Sequence, residues 1–194
     1  MNIDKGIRKQ NKSIKRFLFS GCFIFFVSLI LLISLPKLYT ALKISLIFIQ
    51  MITLIMVISK VENNYLRYIV NYDKILVKTG IIDLTTVMRK NKVFMIHTRD
   101  EGKDLNIIVI ISSKVKKRNF KEVDKRFLEE NQDIYNNIGS IKGKKASEKY
   151  YYTIIVGGGF YKYKLLNDIY INCENAFFSD EAIKNVKLYR NIEI

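Results

Sequence analysis

Side chains that usually carry chemistry are scarce in this chain of 194 residues, which has one histidine and two cysteines. Cys22 lies in an apolar run and Cys173 lies near the end, so we expect no disulfide framework. The chain therefore has no need of an oxidising compartment. His97 lies in a predicted strand, where we expect a structural role, and nothing in the sequence brings it to Cys173 as a nucleophile pair.

Recognisable cofactor motifs are also absent. No His, Cys, Asp or Glu residues have metal-ligand spacing. Three consecutive glycines, Gly157, Gly158 and Gly159, lack the residues that complete a P-loop or a GxGxxG motif. We predict that they form a flexible turn between two strands, with close backbone approach to an anionic ligand as the alternative. We therefore predict no cofactor, no metal and no enzymatic activity.

Charge is absent between Arg16 and Lys37. Residues 17–35 form an apolar run of roughly 28 Å as a helix, which matches the hydrocarbon core of a bilayer. The run is too long for a signal peptide, and Tyr39 stands where a cleavage site needs a small residue. A second apolar run at 44–59 reaches spanning length if it extends back to residue 38 and Lys43 snorkels. The single proline, Pro36, ends the first helix, so residues 17–59 are predicted to form a transmembrane helical hairpin.

Basic residues flank this hairpin on one side. Residues 1–16 form a basic tail, and the chain after residue 59 is also rich in lysine, whereas the connecting loop has only Lys37 and Lys43. The positive-inside rule then places both termini in the cytoplasm, with a two-pass hairpin in the inner (plasma) membrane and a cytosolic domain at 60–194. The basic residues before the first span are Lys5, Arg8, Lys9, Lys12, Lys15 and Arg16.

Gln50 is a polar residue in the middle of the second apolar run. It can form a hydrogen bond within the hairpin, to Ser20 or Ser28. Alternatively, it contacts another copy of the hairpin or lines a pore, and it is our candidate for membrane assembly.

The cytosolic domain is predicted to be β-rich. A strand, a turn at 71–73 and a second strand ending at Gly80 are followed by strands at 85–89, 92–98 and 105–112, the last two joined by a hairpin loop containing Gly102. Apolar spacing predicts an amphipathic helix at 120–138, with a capping box formed by Asn119 and Glu122 and with Gly139 after its end.

The rest of the domain is predicted to contain a hairpin around the three glycines, whose second strand carries Tyr161, Tyr163 and Leu165 on one face. A further strand is predicted at 168–174, and a short C-terminal helix with Ser179 as its N-cap ends the domain. These elements give an α+β domain with about seven or eight strands in a curved sheet or small barrel.

A basic cluster at Lys116, Lys117, Arg118 and Lys121 precedes the predicted amphipathic helix. It is either a solvated face beside anionic lipid or a site for a phosphate-bearing ligand, a lipid headgroup or an acidic partner. The expected partners are therefore the lipid bilayer, an anionic ligand, and a partner protein or further copies of the chain. Duplex nucleic acid is not expected.

The two apolar helices followed by YLRYIVNYDKILVKTGII resemble, over residues 17–82, bacterial two-transmembrane proteins with a pleckstrin-homology-like domain. In those proteins a strand, an Asp-containing turn and a second strand ending in Gly recur here, and the helix comes last, where 179–190 stands in this chain. The overall layout is also similar to the two-helix, β-barrel membrane effectors of antiphage cyclic-oligonucleotide signalling. No functional residue is carried over from either family.

The predicted function is that of a non-enzymatic, membrane-anchored protein whose basic domain recognises a partner protein or an anionic ligand. The alternative, implied by the second resemblance, is an antiphage-type effector in which a cytosolic barrel senses a cyclic nucleotide and the helices oligomerise to disrupt the membrane.

Overall fold

The structure is a computed structural model that describes residues 2–34, 39–81, 85–112, 119–135 and 149–191. It begins with two long helices, α1 (Ile3–Ser34) and α2 (Thr40–Asn64). Both are long and apolar enough to cross a membrane, and almost none of their apolar surface is buried within the chain. The prediction of two N-terminal apolar helices of spanning length is confirmed. The basic segment before the first span is the beginning of α1.

The two helices pack against each other along a narrow seam. Over residues 40–60 of α2, the half-buried positions follow the three-and-four spacing of a coiled-coil seam, and the remaining apolar positions of this stretch are exposed. Gly21 of α1 is buried, and a Cβ at this position would lie 2.6 Å from Cγ2 of Val57. Close approach at a small residue is typical of helices that pack in membranes. The half-buried positions are Lys43, Leu46, Gln50, Thr53, Val57 and Lys60.

A three-stranded antiparallel sheet follows α2 after a single residue, Tyr65. The predicted hairpin with a turn at 71–73 is confirmed, and the Asn71 backbone N–H donates to the carbonyl of Lys74 at 2.9 Å. Gly80, directly after the second strand, has a φ of +77°, which glycine adopts without strain. The strands, in spatial order, are β1 (Leu66–Val70), β2 (Lys74–Thr79) and β3 (Thr86–Arg89).

The second sheet contains β4 (Val93–Arg99), β5 (Asn106–Ser112), β6 (Lys121–Glu122), β7 (Tyr150–Ile155) and β8 (Phe177–Phe178). Their spatial order is β6-β7-β5-β4-β8, and the pairing is antiparallel except between β4 and β8. The predicted β4–β5 hairpin is confirmed. Within the described residues, the eight strands form two sheets, so the small closed barrel that we considered is wrong.

The predicted amphipathic helix at 120–138 begins later than expected. Residues 121 and 122 pair with β7 as strand β6, and the helix α3 spans Lys125–Glu130. Its N-cap is Asp124, whose side chain accepts a hydrogen bond from the Phe127 backbone N–H at 2.8 Å. The Asn119–Glu122 capping box is therefore wrong, because Glu122 is held in the sheet. A separate helical turn follows at 132–135, and Gly139 lies outside the described residues.

The segment after the three glycines is a helix and not a strand. Residues Tyr161–Asn172 form α4, so the predicted second hairpin strand and the predicted strand at 168–174 are both wrong. The residues that α4 buries have helical spacing, which the alternation of Tyr161, Tyr163 and Leu165 concealed. These residues are Lys162, Tyr163, Leu165, Leu166 and Ile169.

The predicted C-terminal helix is confirmed as α5 (Asp180–Arg190), and the Ser179 side chain accepts from the Ala182 backbone N–H at 3.3 Å. Helices α4 and α5 share the main core with both sheets. Strand β5 is covered on both faces, because Ile107 and Val109 face this core whereas Ile108 and Ile110 face a second cluster beside α3.

Candidate functional site

The glycine loop (Gly157, Gly158 and Gly159) lies where the two long apolar helices meet the sheets. The Gly158 backbone N–H donates to the carbonyl of Asn63, near the end of α2, at 3.1 Å. Gly158 has a φ of +104°, and a Cβ there would lie 2.5 Å from the Cβ of Leu66 in β1. Position 158 therefore requires glycine for both its backbone conformation and its close contact with β1.

Gln10 of α1 binds the same loop from the other side. Its Nε2 donates to the carbonyl of Gly158 at 3.2 Å, and its Oε1 accepts from the Phe160 backbone N–H at 2.8 Å. The side chain is 2% exposed, and a Cβ at Gly159, where φ is +54°, would overlap its amide. Asn11 adds a bond to the Tyr161 hydroxyl at 2.8 Å. The uncharged Gln10 thus accepts from the N–H of Phe160, the residue directly before α4.

Apolar contacts extend this attachment towards the N-terminus. Ile3 is buried against Leu105 and Tyr163. Gly6 faces the Phe160 ring, which would lie 3.0 Å from a Cβ at that position. The beginning of α1, predicted as a basic tail, therefore packs on the sheet domain through one uncharged face. Ile7, Phe160, Leu188 and Tyr189 complete this cluster.

A groove of about 650 Å³ opens beside the glycine loop, between the end of α2, the β4–β5 loop and the beginning of α4. Its charged residues balance, with three lysines and three carboxylates, so the groove does not select anions by charge. Lys162 is buried and donates to the carbonyl of Val156 at 2.5 Å. Burial lowers the pKa of Lys162 to about 8, against the opposing effect of Asp104 and Asp100. The charged lining residues are Lys60, Lys103, Lys162, Glu62, Asp100 and Asp104.

Of the predicted basic cluster, the structure describes Lys121, and Lys116, Lys117 and Arg118 lie outside the described residues. Lys121 is exposed on β6, an edge strand, opposite Tyr152. Lys125 and Arg126 are exposed directly beyond it, and Arg126 pairs with Glu130 at 3.3 Å. Neither Lys121 nor Lys125 forms an ion pair within the described part of the chain.

Lys121 pairs with Tyr152 in the first half of β7, and the glycine loop follows the end of this strand. The chain from Tyr152 to Gly157 spans roughly 17 Å at the usual rise per residue of a strand. Lys121 is therefore separated from the glycine loop, to which α2 is hydrogen-bonded, by this length of chain.

Gln50 lies in the seam between α1 and α2. Its Nε2 is buried and has no hydrogen-bond partner in the described residues. Ser28, one of the partners considered for it, donates to the carbonyl of Phe25 in its own helix at 2.9 Å. A buried amide N–H without a partner is energetically costly. The Gln50 amide can therefore gain stability by donating to a further group.

His97 and Cys173 have separate structural surroundings. The His97 Nδ1 lies 3.0 Å from the Ser179 hydroxyl, and burial lowers the pKa of His97 despite Glu181 at 3.8 Å. Cys173 lies in the main core, where burial raises its thiol pKa to about 11. A thiol with such a pKa is a poor nucleophile at neutral pH.

No group of His, Cys, Asp and Glu in the described segments is arranged to hold a metal ion. No family model, curated protein or solved structure matches the chain. The attachment of α1 through Gln10 was not predicted from the sequence. Its visible signal is the pair of uncharged residues, Gln10 and Asn11, in the basic segment RKQNK.

Proposed function

We propose that this chain is a non-enzymatic membrane-anchored recognition protein, held in the inner (plasma) membrane with both termini in the cytoplasm. The observation that carries the proposal is the direct connection between α2 and β1, which only Tyr65 separates. A flexible linker would serve a simple tether. A domain joined without one is presented to the cytosol in a fixed orientation.

The ligand in this proposal is anionic and comes from the cytosol. Lys121 on the edge strand β6 and Lys125 at the beginning of α3 provide exposed ammonium groups. Lys116, Lys117 and Arg118 are neighbours in sequence. Ammonium and guanidinium groups form strong charge-assisted hydrogen bonds with phosphate oxygens. The balanced groove beside the glycine loop lacks this selectivity.

Binding of inorganic polyphosphate to the full chain in nanodiscs of zwitterionic lipid tests the proposal. Lys117→Glu with Lys121→Glu should weaken binding at least about tenfold, or roughly 1.4 kcal/mol. The matched control, Lys92→Glu with Lys164→Glu, reverses two exposed charges elsewhere and should change binding less than about twofold. Equal losses in the two variants would mean that only net charge matters. Binding of an acidic peptide but not of polyphosphate would identify a protein partner.

A second function is favoured by one observation, the unpartnered amide of Gln50. In this alternative, a cyclic nucleotide binds the domain, and Gln50 joins hairpins of different copies in the membrane. The disruption of the membrane then follows from oligomerisation.

A further inference from the structure

We propose that the glycine loop is a coupling joint through which the sheet domain sets the position of α1 relative to α2. Gly158 contacts both helices with one residue, because its N–H donates to Asn63 of α2 and its carbonyl accepts from Gln10 of α1. The two membrane helices are thus bridged by the loop between β7 and α4, in addition to their own seam.

The joint has little freedom to adjust. Two of its glycines have positive φ, and each lies against a different element: Leu66 of β1 at Gly158 and Gln10 of α1 at Gly159. The Gln10 amide is buried, so release of α1 would leave both of its polar atoms and the Phe160 N–H without partners until water enters, while the Gly158 carbonyl would keep only the Tyr161 N–H. Docked and released states of α1 are therefore separated by a clear difference in hydrogen bonding.

Strand β7 connects the joint to the basic edge. Its beginning pairs with Lys121 and Glu122, and its end leads into Gly157. This step rests on the proposed function, because it assumes that an anion binds at the β6 edge. A ligand that favours one position of β7 then favours one position of α1, and the linkage is reciprocal.

The distance between spin labels at Lys5→Cys and Tyr39→Cys, in a Cys22→Ala background in nanodiscs, tests the joint. Lys5 and Tyr39 are exposed, near the N-terminal ends of α1 and α2. We expect one narrow distance distribution in the parent chain. Gly159→Ala should broaden it, and amides of residues 5–12 should exchange at least about tenfold faster with solvent.

The matched control is Gly102→Ala. Gly102 also has a positive φ of +69°, but a Cβ there meets no atom within 4 Å. Both substitutions therefore strain the backbone, and only Gly159→Ala displaces Gln10. If Gly159→Ala fails to fold, Gln10→Ala replaces it, with exposed Lys9→Ala as its control.

The joint is overturned if the Gly159→Ala or Gln10→Ala distribution matches that of its control. It is also overturned if exchange becomes faster while the label distance stays narrow, because the loop would then be only an anchor for the N-terminus. An unchanged distance in a chain that binds polyphosphate removes the joint and leaves the recognition proposal. A broadened distance in a chain that binds no polyphosphate would support the joint and remove the recognition proposal.

Discussion

Gln10 is the residue whose side chain joins α1 to the glycine loop through two hydrogen bonds. Gln10 and Gly158 are 148 positions apart in sequence, and their contact depends on how the whole chain folds. Local signals gave better predictions: Ser179 was recognised as an N-cap and Gly80 as a strand end, because each acts on neighbouring backbone. The predicted strand puts Lys162 on the face opposite Tyr161, Tyr163 and Leu165, and Lys162 is buried in a helix instead.

The burial of Lys162 predicts a pH dependence of stability. Its pKa falls from 10.5 to about 8 in the folded chain, so the unfolded chain binds more protons between these values. The free energy of unfolding should therefore rise with pH across this window and be flat below it. Between about pH 7.5 and about pH 9.5, the parent chain should gain about 1 kcal/mol relative to Lys162→Met.

Thermal unfolding in detergent at several pH values measures this gain. Lys164→Met is the control, because Lys164 is exposed on the same helix and its loss should leave the pH profile unchanged. Profiles of Lys162→Met and the parent chain that run parallel would contradict the assignment.

At the scale of elements, the helices and strands that could be predicted from the sequence are those whose apolar pattern fits only one kind of secondary structure. The apolar runs of α1 and α2 are long, and the β1–β2 and β4–β5 hairpins have turn residues between β-branched segments. The segment now in α4 was ambiguous, because tyrosine favours strands and Tyr161, Tyr163 and Leu165 alternate, whereas Leu165, Leu166 and Ile169 have helical spacing. Its helical form follows from packing on both sheets, which local propensity does not contain.

The seam of the hairpin predicts how Gln50 behaves. In a recognition protein the amide is a cost, so Gln50→Leu should raise thermal stability by about 1 kcal/mol and leave the membrane potential of expressing cells unchanged. Ser45→Leu, at an exposed position of α2, is the control. Depolarisation by the parent chain that disappears in Gln50→Leu but persists in Ser45→Leu would instead favour the effector function.

The whole molecule combines a helical hairpin of spanning length with a sheet domain that is hydrogen-bonded to both of its helices. The number and order of the apolar helices could be predicted from the positions and lengths of the apolar runs. The two-sheet arrangement could not, because strand order within a sheet is set by contacts between distant segments, such as the parallel pairing of β8 with β4. The proposed orientation in the membrane depends on the charges at the helix ends. The proposed functions depend on that orientation.

The central claim is that both termini and the sheet domain lie in the cytoplasm. Labelling of single cysteines in intact cells with a membrane-impermeant maleimide tests it most directly. In a Cys22→Ala background, Tyr72→Cys places a thiol in the β1–β2 turn, where the side chain is fully exposed, and Tyr39→Cys places one before α2. We predict that Tyr39→Cys reacts in intact cells and that Tyr72→Cys reacts only after the inner membrane is permeabilised. Reaction of Tyr72→Cys in intact cells would contradict the cytosolic location of the domain and the functions that depend on it.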